Sequence, residues 1–298
     1  MVEIVEVAPR DGLQNESVLF SVAQKAALID HAVAAGARRI EVASFVRADR
    51  VPQMADTEAV IAVLDLPANV VTIGLVLNKK GAFRALATTV QEVGTVAVAS
   101  DTFAQRNQGQ TSQESADMAA EVIQFVRSEG RRAQATIGAA FGCPFEGAVP
   151  HDRVVALAER IAAAGPTEIA LADTIGVAVP EDVGTLIERV RAATGLPVRI
   201  HLHNTRGTGI ANAWAAVQAG VSTIDASLGG IGGCPFAPAA TGNIATEDLI
   251  YLLDRSGIEH GYDLGKTIDA ARWLTHEMGR PLPGAVSRAG GFPTGTAA

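Results

Sequence analysis

The chain has 298 residues, 48% of them hydrophobic and only 4% aromatic, so it suits one large barrel or two small domains with a core of Ala, Val, Leu and Ile. A net charge of −8 without a basic tract argues against nucleic acid and anionic membrane as partners. No apolar run is long enough to span a bilayer, and Cys143 and Cys234 cannot make a disulfide framework, so a cytoplasmic protein is expected.

Strand-like residues follow Met1 directly, so no targeting segment is expected. The first strand falls near 3–7 and runs into Pro9-Arg10-Asp11-Gly12. A helix near 21–35 ends at Gly36, and a second strand near 38–43 carries Glu41, with Ser44 just beyond it. A helix near 55–64, a strand near 70–76, a helix near 79–89 and a strand near 94–99 come next. The helix near 113–129, the strand near 132–138 and the helix near 150–164 follow, with Gly130 and Gly165 as helix stops. The sixth strand, near 167–172, ends in Asp173-Thr174. After a helix near 180–193 and Gly195, the seventh strand, near 197–203, carries His201 and His203. A helix near 207–219 and Gly220 lead to the eighth strand near 222–227. The next loop holds Gly229-Gly230-Ile231-Gly232-Gly233-Cys234-Pro235 and Asn243, before a helix near 246–255. Eight strand–helix units predict a (β/α)8 TIM barrel spanning residues 1–282, with an extra helix near 263–278 and a loose tail at 283–298. A doubly wound open sheet is the alternative, and it lacks a GxGxxG after the first strand.

In such barrels the site forms at the carboxyl ends of the strands. His201 and His203, two apart on a strand, face the same way and can act as a pair of metal ligands. Asp11 alone reads as a turn residue before Gly12; beside a two-histidine face it reads as a third ligand, with the Asn243 amide oxygen as a fourth. That mixed N/O set suits Mg2+ or Mn2+, leaves iron open, and does not fit structural zinc, which prefers clustered Cys. Arg10 is either an ion-pair partner or a cation that stabilises an enolate oxygen. Cys234, among glycines, reads as a reactive thiol on a lid, although the glycines also suit a phosphate. Cys143 is expected to be structural or wall-lining, and His31, His151, His260 and His276 to be ordinary surface or capping residues.

These residues also carry a resemblance. Residues 5–16, from Val5-Glu6-Val7 through Arg10-Asp11-Gly12 to Glu16, resemble the opening motif of the hydroxymethylglutaryl-CoA lyases, metal-dependent TIM-barrel enzymes. Ser44-Phe45-Val46, Gly142-Cys143-Pro144-Phe145, Asp173-Thr174-Ile175-Gly176, Gly232-Gly233-Cys234-Pro235 and Gly242-Asn243-Ile244-Ala245 continue it in family order. The resemblance implies that Asp11, His201, His203 and Asn243 bind the metal. It implies that Arg10 polarises the thioester carbonyl, that Cys234 transfers a proton, and that Glu41 and Asp173 lie near substrate and metal. The implied reaction cleaves 3-hydroxy-3-methylglutaryl-CoA to acetyl-CoA and acetoacetate. The base that takes the hydroxyl proton is left open among Asp11, Glu41, Asp173 and His201. Gln14, Ser44, Arg206 and Glu247 are expected to contact the acyl-CoA substrate, and a homodimer is the expected assembly. Asn204-Thr205-Arg206 stands where better-known members carry Asp-Thr and a neutral residue, and Ser17 where many carry Lys. These departures leave a different 3-hydroxy-3-alkylglutaryl-CoA, or a related aldolase-type cleavage, as the alternative. Arg206 either reaches the pocket rim or pairs at the start of the following helix. A catalytically dead scaffold barrel is disfavoured by the intact set of reactive residues.

Overall fold

A computed structural model describes residues 1–233 and 242–293. Eight parallel strands close into one barrel in chain order. They are β1 Glu3–Glu6, β2 Arg39–Ser44, β3 Val71–Val76, β4 Glu92–Val98, β5 Arg132–Gly138, β6 Ile169–Asp173, β7 Val198–Leu202 and β8 Thr223–Ala226. The helices are α1 Val22–Ala35, α2 Thr57–Val63, α3 Lys79–Leu86, α4 Asp101–Gln108, α5 Ser112–Ser128, α6 His151–Ala162, α7 Pro180–Thr194, α8 Gly209–Gln218, α9 Thr246–Arg255, α10 Leu264–Met278 and α11 Val286–Ala289. The expected (β/α)8 TIM barrel is therefore the fold.

Helices cover the barrel outside and side chains fill it inside, so β2, β6 and β7 are buried along their whole length. Local chemistry sets the helix ends. Ser21 caps α1 through a reciprocal pair with Gln24, and Gly36 ends it at φ +123°, where a Cβ would fall 2.5 Å from the Gly261 carbonyl. The main apolar core lies between barrel and helices, while inside the barrel Val5, Val7 and Ile73 form a small separate cluster. Below it the interior is ionic. Arg39 pairs with Glu92 at 2.5 Å, Glu168 at 2.7 Å and Glu3 at 3.1 Å. Arg199 pairs with Asp225 at 3.4 Å and Glu168 at 3.5 Å. Burying these charges is tolerable because they are paired.

Two segments depart from the sequence reading. Residues 101–108, read as loop, form α4, which carries Arg106 over the Phe145 ring. The tail after Pro283, expected to be loose, forms α11, whose first amides (Ala285 and Val286) donate to the Asp248 carboxylate. An Asp receiving the free N–H groups of a helix start explains order in so small-residue a segment. Among the described residues no helix is long and apolar enough to cross a membrane.

Candidate active site

Beyond β1 the chain turns through a π-helical segment at Ala8–Gly12. Glu6 fixes this turn. It is fully buried, and its carboxylate accepts from Ala8 N (2.9 Å), Leu228 N (3.0 Å) and Thr246 Oγ1 (2.8 Å). Burial pushes Glu6 up to about 7 against those donors. One carboxylate so ties the segments after β1 and β8 to the start of α9. On the other side His203 bridges to Asn243, and Ile244 N donates to Leu202 O, which pins residues 242–245 beside the end of β7. The chain leaves and re-enters this corner at adjacent points: a Cβ on Gly242 would lie 2.8 Å from Ile231 C and 2.9 Å from Gly232 N.

Asp11, His201 and His203 present ligand atoms that all lie within 4.8 Å of one another. The two His Nε2 atoms are 3.2 Å apart, and His201 Nε2 is 3.8 Å from Asp11 Oδ2. Neighbouring ligands of a six-coordinate ion with bonds of about 2.1 Å stand about 3 Å apart, so the imidazole edge fits such an ion. The Asn243 amide nitrogen donates to Asp11 Oδ2 (2.9 Å) and Ile231 O (3.0 Å), leaving its buried Oδ1 without a donor among the described residues. A buried oxygen left with no hydrogen-bond donor is what a ligand to a cation looks like before the cation binds. Burial raises the Asp11 carboxyl, but Arg10, His201 and His203 outweigh it and bring it down to about 2. Burial and the neighbouring His201 bring His203 down to about 4, so it is neutral and able to coordinate at neutral pH.

Arg10 spans the site, its Nη1 on Asp11 (2.7 Å) and its Nη2 on Glu41 (2.5 Å). Burial raises the Glu41 carboxyl although Arg10 opposes it. These groups open into a cavity of about 1120 Å³, which Gln14, His201, His203, Thr136 and Thr174 also line. Its rim on the β2–β4 side carries Arg47, Arg50, Lys80, Arg84 and Arg106.

Arg10, Asp11, Gln14, Glu41, His201, His203 and Asn243 thus come together. Four sequence-expected residues point elsewhere. Asp173 accepts from Val177 N (2.9 Å) and Ala178 N (3.0 Å) and shapes the loop after β6; Ala172 faces the cavity instead. Glu247 is buried against Gly229 N (3.1 Å), and burial pushes it up to about 7. Arg206 donates to the Ile175 and Gly176 carbonyls at 2.8 and 2.9 Å, and does not line the cavity. The Ser44 hydroxyl is buried off the cavity, and its carbonyl accepts from Thr57 Oγ1. Cys234 lies outside the described residues. Cys143 is buried and accepts a hydrogen bond from the Ser100 hydroxyl. Two interior residues went unnoticed in the sequence: Asp225, 3.0 Å from His201 Nδ1, and Arg199, on the cavity floor.

The HMGL-like family model matches residues 1–274. The chain is 45% identical over 303 residues to an (R)-citramalyl-CoA lyase of Chloroflexus aurantiacus, covering 97% of this chain and 95% of that protein. It is 37% identical over 283 residues to a hydroxymethylglutaryl-CoA lyase of Bacillus subtilis, covering 95% of each. An HMG-CoA lyase structure from Acinetobacter baumannii, in complex with coenzyme A and 3-methylmalate, superposes with a TM-score of 0.94 at 35% identity, covering 100% of this chain and 97% of that one.

Proposed function

The chain belongs to the HMGL-like family of lyases, and from that premise we propose that it cleaves a CoA thioester bearing a tertiary 3-hydroxyl and a distal carboxylate. The observation that carries this reading is the convergence of Asp11, His201 and His203 beside Arg10 on one cavity, next to an Asn243 oxygen that has no donor among the described residues. A divalent ion bound there, Mg2+ or Mn2+, supplies a positive centre that acidifies and orients the substrate hydroxyl. Asp11, His201, His203 and Asn243 would hold that ion.

The hydroxyl proton passes to a base, the bond between C2 and C3 breaks, and its electron pair moves into the thioester enolate. A proton then returns to the enolate carbon, giving acetyl-CoA and a keto acid. Arg10 neutralises charge on the thioester oxygen as it develops. Glu41 is the assigned base: it faces the cavity, burial raises it, and Asp11 is too acidic to compete. Cys234 is the assigned proton donor, carried by the segment between Gly233 and Gly242. The rim cations suit the phosphates of coenzyme A.

Two short acyl groups are weighed first among the 3-hydroxy-3-alkyl thioesters that fit this chemistry. 3-Hydroxy-3-methylglutaryl-CoA yields acetoacetate, and the one-carbon-shorter citramalyl-CoA yields pyruvate. The 45% identity to a citramalyl-CoA lyase, against 37% to the Bacillus enzyme, favours the shorter substrate. The test is to assay both thioesters, metal-supplemented and chelated, reading acetyl-CoA with pyruvate or acetoacetate. Metal-dependent pyruvate release at the higher kcat/KM is expected. A faster acetoacetate reaction would reverse the choice of acyl group. Cleavage of neither thioester would overturn the class of substrate.

A further inference from the structure

We infer that Asp225, braced by Arg199, is a positioning residue that sets the tautomer and ring orientation of His201. Strand register makes the contact: His201 on β7 pairs directly with Asp225 on β8. The carboxylate Oδ2 lies 3.0 Å from His201 Nδ1. An ionised carboxylate only accepts, so Nδ1 carries a ring proton, and in the neutral ring the lone pair is left on Nε2. That nitrogen is the one facing His203 Nε2 at 3.2 Å and Asp11 Oδ2 at 3.8 Å. A neutral imidazole without such a partner divides between two tautomers, and only one of them leaves Nε2 free to coordinate.

Arg199 holds the far side of the same carboxylate. Two residues before His201 on β7, it faces the same way, and its Nη1 lies 3.4 Å from Asp225 Oδ1. Its Nη2 donates to Gln134 across the barrel. The guanidinium therefore spans β5 to β8 and restrains Asp225 from turning. Stability alone does not explain this arrangement. Asp225 is 5% exposed, and its Oδ1 has no hydrogen-bond donor among the described residues. Its neighbour on β1 at that level is Val5. An apolar side chain would fill the layer at lower cost, so the buried charge is accounted for by what Oδ2 does to His201.

This inference rests on the assignment of Asp11, His201, His203 and Asn243 as the metal site, but not on the identity of the substrate. The test uses the full chain stripped of metal and titrated with Mn2+, reading free Mn2+ by electron paramagnetic resonance. Imidazole 15N spectra of the metal-free protein, recorded at a pH high enough that the His201 ring is neutral, report its tautomer. Asp225→Asn is expected to weaken Mn2+ about 10- to 100-fold, with Arg199→Gln intermediate, as for other residues that orient a ligand. Wild-type His201 is expected as the Nδ1–H form, and Asp225→Asn as a mixture. A folded Asp225→Asn protein with wild-type Mn2+ affinity, while His203→Ala loses it, overturns the positioning role alone. A His203→Ala protein with wild-type affinity overturns the metal assignment and this role together. If Asp225→Asn does not fold, the wild-type spectrum decides: an Nε2–H tautomer overturns the inference.

Discussion

Arg10 is where turnover and metal binding part company. It touches Asp11 through one nitrogen and Glu41 through the other, and its charge faces the cavity. Arg10→Gln should lower kcat by about 10²- to 10³-fold, the typical loss of an oxyanion contact, while leaving Mn2+ affinity within a few-fold. Steady-state kinetics beside a metal titration checks this; a change confined to KM would refute it. Glu247 makes a different forecast, about stability. Its carboxyl is raised from 4.5 to about 7 by burial, so the folded chain holds that proton more tightly than the unfolded chain. The contribution is complete below about pH 4.5 and is lost as pH rises through 7, with a slope of at most about 1.4 kcal/mol per pH unit in that window. His203, lowered to about 4, pulls the opposite way over part of that range, so the informative quantity is a difference. Glu6, also raised to about 7, contributes a slope of its own, so Glu247→Gln should make the downward slope between pH 5 and 7 shallower by up to about 1.4 kcal/mol per pH unit in chemical denaturation curves compared with the unmodified chain. Parallel curves would mean that Glu247 is ionised in the folded state.

At the scale of elements, the segment after β1 is tightly fitted. A Cβ on Gly12 would fall 2.8 Å from Ile231 Cγ1 and 2.9 Å from Ser227 Oγ, between the β1 and β8 loops. Gly12→Ala should displace Asp11 from the histidines, weakening Mn2+ binding strongly while costing about 1–3 kcal/mol of stability, as overpacking does. Calorimetric titration and thermal melts read the two effects separately. The strands were legible because buried runs of Val, Ile and Ala lie between glycine helix stops, and every barrel strand fell within two residues of its expected start. The π-helical turn was not legible, because it depends on Glu6 binding the Leu228 amide and the Thr246 hydroxyl, each more than 200 positions away. Side-chain alternation explains both an error and an omission in the site. On β6 it sends Ala172, not Asp173, to the interior; on β8 it sends Asp225 inward. Proximity to a strand end favours Asp173, whereas parity along the strand favours Asp225. Arg206 shows a further limit. An arginine after a strand can reach either a ligand or backbone carbonyls, and here Ile175 and Gly176 receive it.

Over the whole molecule, charge is unevenly shared. The chain carries −8, yet the described residues lining the cavity include seven Lys and Arg against three carboxylates. An anionic ligand therefore meets an attractive mouth on a repulsive body, and most of that attraction sits on exposed rim side chains that salt screens. Raising ionic strength from about 0.05 to about 0.5 M should increase KM several-fold with little change in kcat. A dephospho-CoA thioester should show a higher KM and a shallower salt dependence. Equal salt dependence for the two thioesters would place the terminal phosphate away from this rim.

Gly242 packed against Ile231 and Gly232 means that the chain departs and returns through one narrow gate. The residues between are joined to the barrel at two abutting points, and closing a loop between fixed ends costs little more as the loop grows. Replacing residues 234–241 with a shorter Gly-Ser linker should leave the melting temperature and Mn2+ affinity near those of the parent chain and abolish turnover. Thermal melts, metal titration and the cleavage assay on one such graft check this. A graft that lost its metal would show the replaced residues to be part of the ligand cage, whereas one that kept turning over would free Cys234 from the reaction. Loss of turnover alone would make the barrel a socket that takes exchangeable proton donors, its acyl scope alterable by swapping the insert without recasting the frame.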